Sequence, residues 1–178
     1  MKESWEEVVK ITRQFNNIQL EHWLNDTLFT FRWWILLFTT LVFLFVWLII
    51  LDKKRIFEIT TYGFMVAFTA VIADITGVFL MLWQYKHTLT PLSIVIEIDT
   101  ILMPIIYMII YQYFNTWKSF IIAVIIQAFI FSFILEPLLV WLQVYVLYHW
   151  KHIYSFIPYI IIAVVFKGVI YKLKQHYE

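Results

Sequence analysis

"SFILEPLLVW", residues 132–141, sets a carboxylate and a proline, Glu136 and Pro137, in the middle of an apolar run that extends from 120 to 147. An apolar stretch of that length reads as a membrane-crossing helix. Neither residue belongs in one on stability grounds alone. Proline lacks the backbone N–H and crowds the preceding turn, and a carboxylate in hydrocarbon is costly and seldom faces lipid. The pair therefore points both to the fold class, a helical membrane protein, and to the first candidate for function.

Composition supports the same class. Hydrophobic residues make up 63% of the 178 and aromatics 21%, and the mean hydropathy is +0.82, far from soluble-domain values. The absence of cysteine excludes disulfides, thiolate metal sites and a cysteine nucleophile. A net charge of +1 leaves no nucleic-acid footprint. Gly63, Gly77 and Gly168 are the only glycines, so no phosphate-cradling loop can be built, and neither G-x-S-x-G nor H-E-x-x-H occurs. No cofactor is expected.

Outward from 132–141, the chain divides into five apolar stretches of roughly membrane-crossing length: 33–51, 56–85, 91–114, 117–148 and 153–171. Short polar breaks separate them, "DKKR" (52–55), "KHTLT" (86–90), "NT" (115–116) and "HWKH" (149–152), so neighbouring spans run antiparallel. The second and fourth exceed the ~20 residues that a bilayer requires and must tilt, kink or protrude. The expected fold is all-α, a polytopic bundle of five transmembrane helices over 32–178, preceded by an amphipathic interfacial helix in 1–31. Val8, Ile11, Phe15 and Ile18 recur there at helical spacing with Trp5 and Trp23 near the ends. The first apolar run starts at residue 33, lacks a small-residue cleavage site and is followed by the 53–55 cluster, so no cleavable signal is expected.

Four acids fall within the spans: Asp74, Glu97, Asp99 and Glu136. At 1.5 Å per residue from the basic ends of their helices, all lie roughly 22–29 Å up, in the outer half of the membrane. Gly63, Ala67, Ala70, Asp74 and Gly77 form a small-residue stripe that turns Asp74 into the bundle. Ser93, Glu97, Thr100, Pro104, Tyr107 and Tyr111 form a polar stripe in the third span, with Asp99 about 200° away from Glu97. The two cannot both face one cavity unless the helix is distorted, and Pro104 supplies a reason for distortion. In the fourth span Ser132, Glu136 and Gln143 share a face. These acids are the candidate catalytic groups. Trp83, Tyr85, Tyr107, Tyr111 and Gln143 are the candidate substrate-binding groups. No basic residue is expected at the level of the acids. His87, His149 and His152 sit near the outer ends, where a three-histidine metal site is conceivable but weakly signalled, so no metal is expected.

Asp74 followed by Trp83-x-Tyr85, then Asp99 with Pro104, Tyr111-Gln112-Tyr113, Glu136 and the region of Trp150, resembles an uncharacterised family of small multi-pass membrane proteins of spore-forming Firmicutes, over most of 33–172. The aspartate-to-W-x-Y spacing and the Glu beside Pro are also similar, more distantly, to lycopene cyclase-type and other small intramembrane terpenoid cyclase domains. That likeness implies carboxylic acids that protonate an isoprenoid within a helical bundle. The chain lacks the paired Glu-Glu of the carotenoid enzymes.

Three functions remain in view: a pocket that binds a lipid or isoprenoid with acid-initiated rearrangement, a proton- or cation-coupled transporter or channel, and a non-catalytic scaffold whose acids staple helices. Expected partners are membrane lipids and a lipid or isoprenoid ligand, with a homo-oligomer or partner chain left open. The setting is a bacterial cytoplasmic membrane. Lys53, Lys54, Arg55, Lys118, Lys167, Lys172 and Lys174 outnumber Arg32, Lys86 and Lys151, which orients the amino terminus outside and the carboxyl terminus in the cytoplasm. A reporter fused after Glu178 should accordingly read cytoplasmic and one at the amino terminus exterior; the reverse pattern would invert the inferred depth of every acid.

Overall fold

Helix propagation dominates a chain this rich in Leu, Ile and Phe. The computed structural model describes residues 2–177 and is 80% helical. Among the described residues, four helical stretches are long and apolar enough to cross a membrane: Phe31–Ile50, Lys53–Phe79, Trp117–Trp141 and His152–His176. The expected third span is shorter than its apolar run, because helix occupies only Ile98–Tyr113 of its central part. Residues 86–94 ahead of it form an irregular loop. There Thr88 donates its hydroxyl to the carbonyl of Thr90, and Pro91 has no N–H to offer a helix.

The elements are α1 (Lys2–His22), α2 (Phe31–Ile50), α3 (Ile56–Phe79), β1 (Trp83–Tyr85), α4 (Met103–Tyr113), α5 (Trp117–Ile130), α6 (Glu136–Trp141), β2 (Tyr145–Leu147) and α7 (His152–Tyr177). π-helical turns at Ile98–Leu102 and Phe131–Leu135 lead into α4 and α6, and a third, Trp23–Thr27, follows α1. The core lies where α3, α4, α5 and α7 meet: Ile59, Tyr62, Val66 and Ala70 face Tyr107, Met108 and Tyr111, with Phe120, Val124 and Ala163 behind. Gln112 caps the far end of α2, donating to the Ile50 carbonyl at 2.8 Å and accepting from the Asp52 N–H at 2.9 Å. At that end Glu58 pairs with Arg55 at 2.9 Å and Lys174 at 3.0 Å.

The two over-long spans have an explanation that helical reasoning did not supply. α3 stops at Phe79 and α6 at Trp141, and the surplus residues form strands that pair antiparallel, Trp83 with Leu147, Gln84 with Val146 and Tyr85 with Tyr145. This two-stranded sheet is a correction to the all-α expectation. Both helices end by the same device. Met81 (φ 54) and Gln143 (φ 57) take left-handed backbone, and the next N–H reaches back to close the helix, Leu82 to Gly77 and Val144 to Leu139. The sheet forms a lid across one end of the bundle.

The lid end is fastened by the segment joining α1 to α2. Ser93 donates its hydroxyl to Gln19, the Trp23 indole donates to the Thr88 carbonyl, and the Trp33 indole donates to the Leu89 carbonyl. Buried His87 lies 3.0 Å from the Thr27 hydroxyl through Nδ1. Residues 4–18 of α1 extend beyond these contacts and are exposed. Burial lowers the His87 imidazole to about 4, with Arg32, Lys86 and His22 adding repulsion and Asp26 opposing it. An unfolded imidazole binds its proton near pH 6.5. The stability that neutral His87 provides is therefore complete above that pH and is lost as pH falls towards about 4. Thermal unfolding in detergent should show a steeper loss between those limits for the native chain than for His87→Gln; parallel profiles would remove His87 as the cause.

Candidate functional site

The acid and proline of the opening stretch are explained together by the turn before them. Pro104 and Pro137 offer no N–H, and each is preceded by a π turn closed by a longer bond, Met103 N–H to Ile98 and Glu136 N–H to Phe131. The additional residue in such a turn rotates the helix face. Asp99 lies inside the first turn and Glu136 directly after the second, and both point into the bundle, 7% exposed each.

Asp74 meets them from the small-residue stripe of α3. Its Oδ1 accepts the Trp83 indole N–H at 2.7 Å and the Tyr85 hydroxyl at 2.6 Å, joining the helix to the lid. The Asp99 carboxyl is a neighbour of Asp74 in the cavity lining. Oδ2 of each is buried with no N–H or O–H donor from elsewhere among the described residues. Burial, reinforced by the neighbouring Asp74 and Asp99, pushes the Tyr85 hydroxyl well above its usual range, so it keeps its proton and donates. Tyr145 stacks on it with ring centroids 5.5 Å apart.

Glu136 is held differently. Its Oε2 lies 2.8 Å from His152 Nδ1, and its Oε1 accepts the Tyr159 hydroxyl at 2.9 Å. This corrects the expectation that no base reaches the acids: α7 begins at His152, so a residue counted as loop becomes the first turn of a helix and faces Glu136.

These groups border a cavity of about 610 Å³ whose walls are otherwise mostly apolar. Asp74, Asp99, Glu136, Trp83 and Tyr85 line it. Glu97, Tyr107, Tyr111 and Gln143 do not. Glu97, 3% exposed, turns back to accept the Leu89 N–H at 3.3 Å. Between Glu97 and Asp99 the wall position therefore goes to Asp99. The helical wheel that favoured Glu97 assumed an unbroken helix from Ser93, whereas helix starts at 96 and passes at once into a π turn. Tyr107 donates to the Tyr159 carbonyl at 2.9 Å and Tyr111 to Glu58 at 2.5 Å, both core contacts. Gln143 closes the turn after α6, and its Oε1 accepts from Arg32 Nη2 at 3.1 Å. His152 was read only as an outer histidine, and three further neighbours of the site escaped the sequence reading: Arg32, Tyr145 and Tyr159. Only the last carried a usable signal, a tyrosine one residue after Pro158 inside an apolar helix.

The three outer histidines go to separate partners, His87 to Thr27, His149 to the Met81 carbonyl and His152 to Glu136. Among the described residues no group of three or more His, Asp or Glu is arranged to hold a metal ion. Comparisons with family models, curated proteins and solved structures returned no match.

Gly77 is what lets the lid close over Asp74. A Cβ there would collide with the six-membered ring of the Trp83 indole, a rigid group held by Asp74, whereas at Gly168 the nearest side-chain atom, on Trp117, is 3.9 Å away. Gly77→Ala should cost about 1–3 kcal/mol through overpacking and shift the tryptophan emission. Gly168→Ala should be neutral or slightly stabilising in the same thermal unfolding experiment. Equal behaviour of the two would mean that the lid does not rest on Gly77.

Proposed function

We propose that this chain is a five-span protein of a bacterial cytoplasmic membrane that binds a lipid or isoprenoid in the lidded cavity and exchanges a proton with it. The observation that carries the reading is the Asp74–Asp99 pair, held by Trp83 and Tyr85 on the wall of a mostly apolar cavity of about 610 Å³. Two carboxylates so close and so far from water repel each other strongly, so the pair holds a proton between them. That proton is the acid. Glu136, backed by His152 and Tyr159, is the group that takes a proton back. Trp83, Tyr85 and Tyr145 present aromatic faces to positive charge developing on a polyene.

The fifth crossing is Ile98–Tyr113 together with residues 91–97 ahead of it, which leaves 86–90, with His87, outside the spans. Sixteen helical residues rise about 24 Å, and irregular backbone at membrane depth is tolerated where protein surrounds it. The lid faces outside and Lys53, Lys54, Arg55 and Lys174 face the cytoplasm. α1 lies in the outer interface, with exposed Ile11, Phe15 and Ile18 towards lipid.

A second reading, a proton-coupled carrier, draws on Gln127 and Ser132. Both are buried in the α5–α6 span on the way from Glu136 towards the basic end; Gln127 faces Tyr107, and among the described residues Ser132 has no hydrogen-bond partner, which bound water would supply.

The test compares lipids co-purified with the full chain and with variants, by mass spectrometry of extracts. Asp99→Asn and Glu136→Gln keep the shape of the side chain but cannot exchange a proton. Both should unfold at the native temperature and lose product formation by about 10²–10⁴-fold, while Glu97→Gln behaves as native. A native lipid and product profile in both acid variants would defeat the reading.

A further inference from the structure

The cavity has one cation on its lining, Arg32, in the first turn of α2. Its Nε–H donates to the Leu142 carbonyl at 2.7 Å and its Nη2 to Gln143 Oε1 at 3.1 Å, so it reaches from α2 across to the turn after α6. Both acceptors are neutral. Among the described residues no carboxylate pairs with it, whereas Glu136 and Glu58 each have basic partners. A guanidinium has five N–H groups, and these two bonds leave donors in place. Below Arg32 the wall of the cavity is formed by half-buried Ile35 and Thr39 on α2 and by Leu138 on α6, which lines the cavity while 44% exposed. The apolar lining thus reaches the exposed surface at Leu138.

We infer that the occupant of the cavity is an anionic amphiphile: its phosphate or carboxylate head is bonded by Arg32 at the rim, and its hydrocarbon chain lies in the cavity against the acids. This rests on the lipid-pocket reading above and adds the head group to it. A planar, permanently charged fork suits such a head, because it gives paired charge-assisted bonds that an alcohol or a hydrocarbon end cannot return. The arrangement also separates two tasks. The anion is held on the α2 side, by the cation, while the acids on α3, the Ile98–Leu102 turn and α6 act on the neutral chain.

The experiment titrates the purified full chain in phosphatidylcholine nanodiscs with farnesyl monophosphate and with farnesol, following tryptophan fluorescence. The native protein should bind the phosphate about tenfold more tightly than the alcohol. Arg32→Gln should bind the two equally. Arg32→Lys, which keeps the charge but not the fork, should retain part of the preference. Inorganic phosphate at the same concentration should not compete. Equal native affinities, a preference that survives in Arg32→Gln, loss of preference in Arg32→Lys as complete as in Arg32→Gln, or full competition by inorganic phosphate would each overturn the assignment. Binding of farnesol without any phosphate preference sinks the head-group inference and leaves the pocket standing; failure of both probes to bind sinks the pocket and the inference with it.

Discussion

One carboxylate oxygen organises the lid end of this protein. Asp74 Oδ1 accepts from both the Trp83 indole and the Tyr85 hydroxyl, so the strand that follows α3 cannot drift from the helix it has just left. Fixing β1 fixes β2 by register, and that sets Tyr145 against Tyr85. The Leu82 carbonyl then receives the N–H groups of Tyr148 and His149, which brings the chain to the point where α7 starts and His152 meets Glu136. A buried carboxylate with donors is far cheaper than one without them. The geometry of the second acid thus depends on the satisfaction of the first.

The prolines work on the other wall. In a helix surrounded by hydrocarbon, a missing N–H has no water to replace it, and the backbone responds with the longer bonds of a π turn. That local repair is what turns Asp99 and Glu136 inward. Carboxylate and proline occur together at both places because the second residue changes the direction in which the first one faces. α3 carries no proline and presents Asp74 on a regular stripe, with Gly77 keeping room for Trp83.

What could be read from the sequence followed this division. The Asp74 face was legible because α3 keeps an undisturbed repeat, and Ala70, Asp74 and Gly77 are buried as that repeat requires. The rotation at Asp99 was legible only as a distortion that Pro104 made expected, because a helical wheel cannot place an inserted residue, and so the choice between Glu97 and Asp99 stayed open. The ends of α3 and α6 were hidden for two reasons. The residues in left-handed backbone are Met81 and Gln143, where glycine or asparagine would have announced a stop. The strands that follow, Trp-Gln-Tyr and Tyr-Val-Leu, are as apolar as the helices, and a short apolar run does not reveal its secondary structure. Tyr107 and Tyr111 are buried but spend their hydroxyls on the Tyr159 carbonyl and on Glu58.

The pairing of β1 with β2 also imposes an order on how the molecule is made. The strands are separated by two apolar helical segments, Ile98–Tyr113 and Trp117–Trp141, and Trp83 waits for Leu147. Until translation has passed residue 147 and the segments between are inserted, the edge of β1 has no backbone partner. Asp74 can already hold Trp83 and Tyr85 during that interval, since all three are translated within a dozen residues of one another. The lid is therefore pinned at its hinge early and sealed late. Residues 145–147 must therefore arrive at the same end of the bundle as 83–85 before the cavity can close.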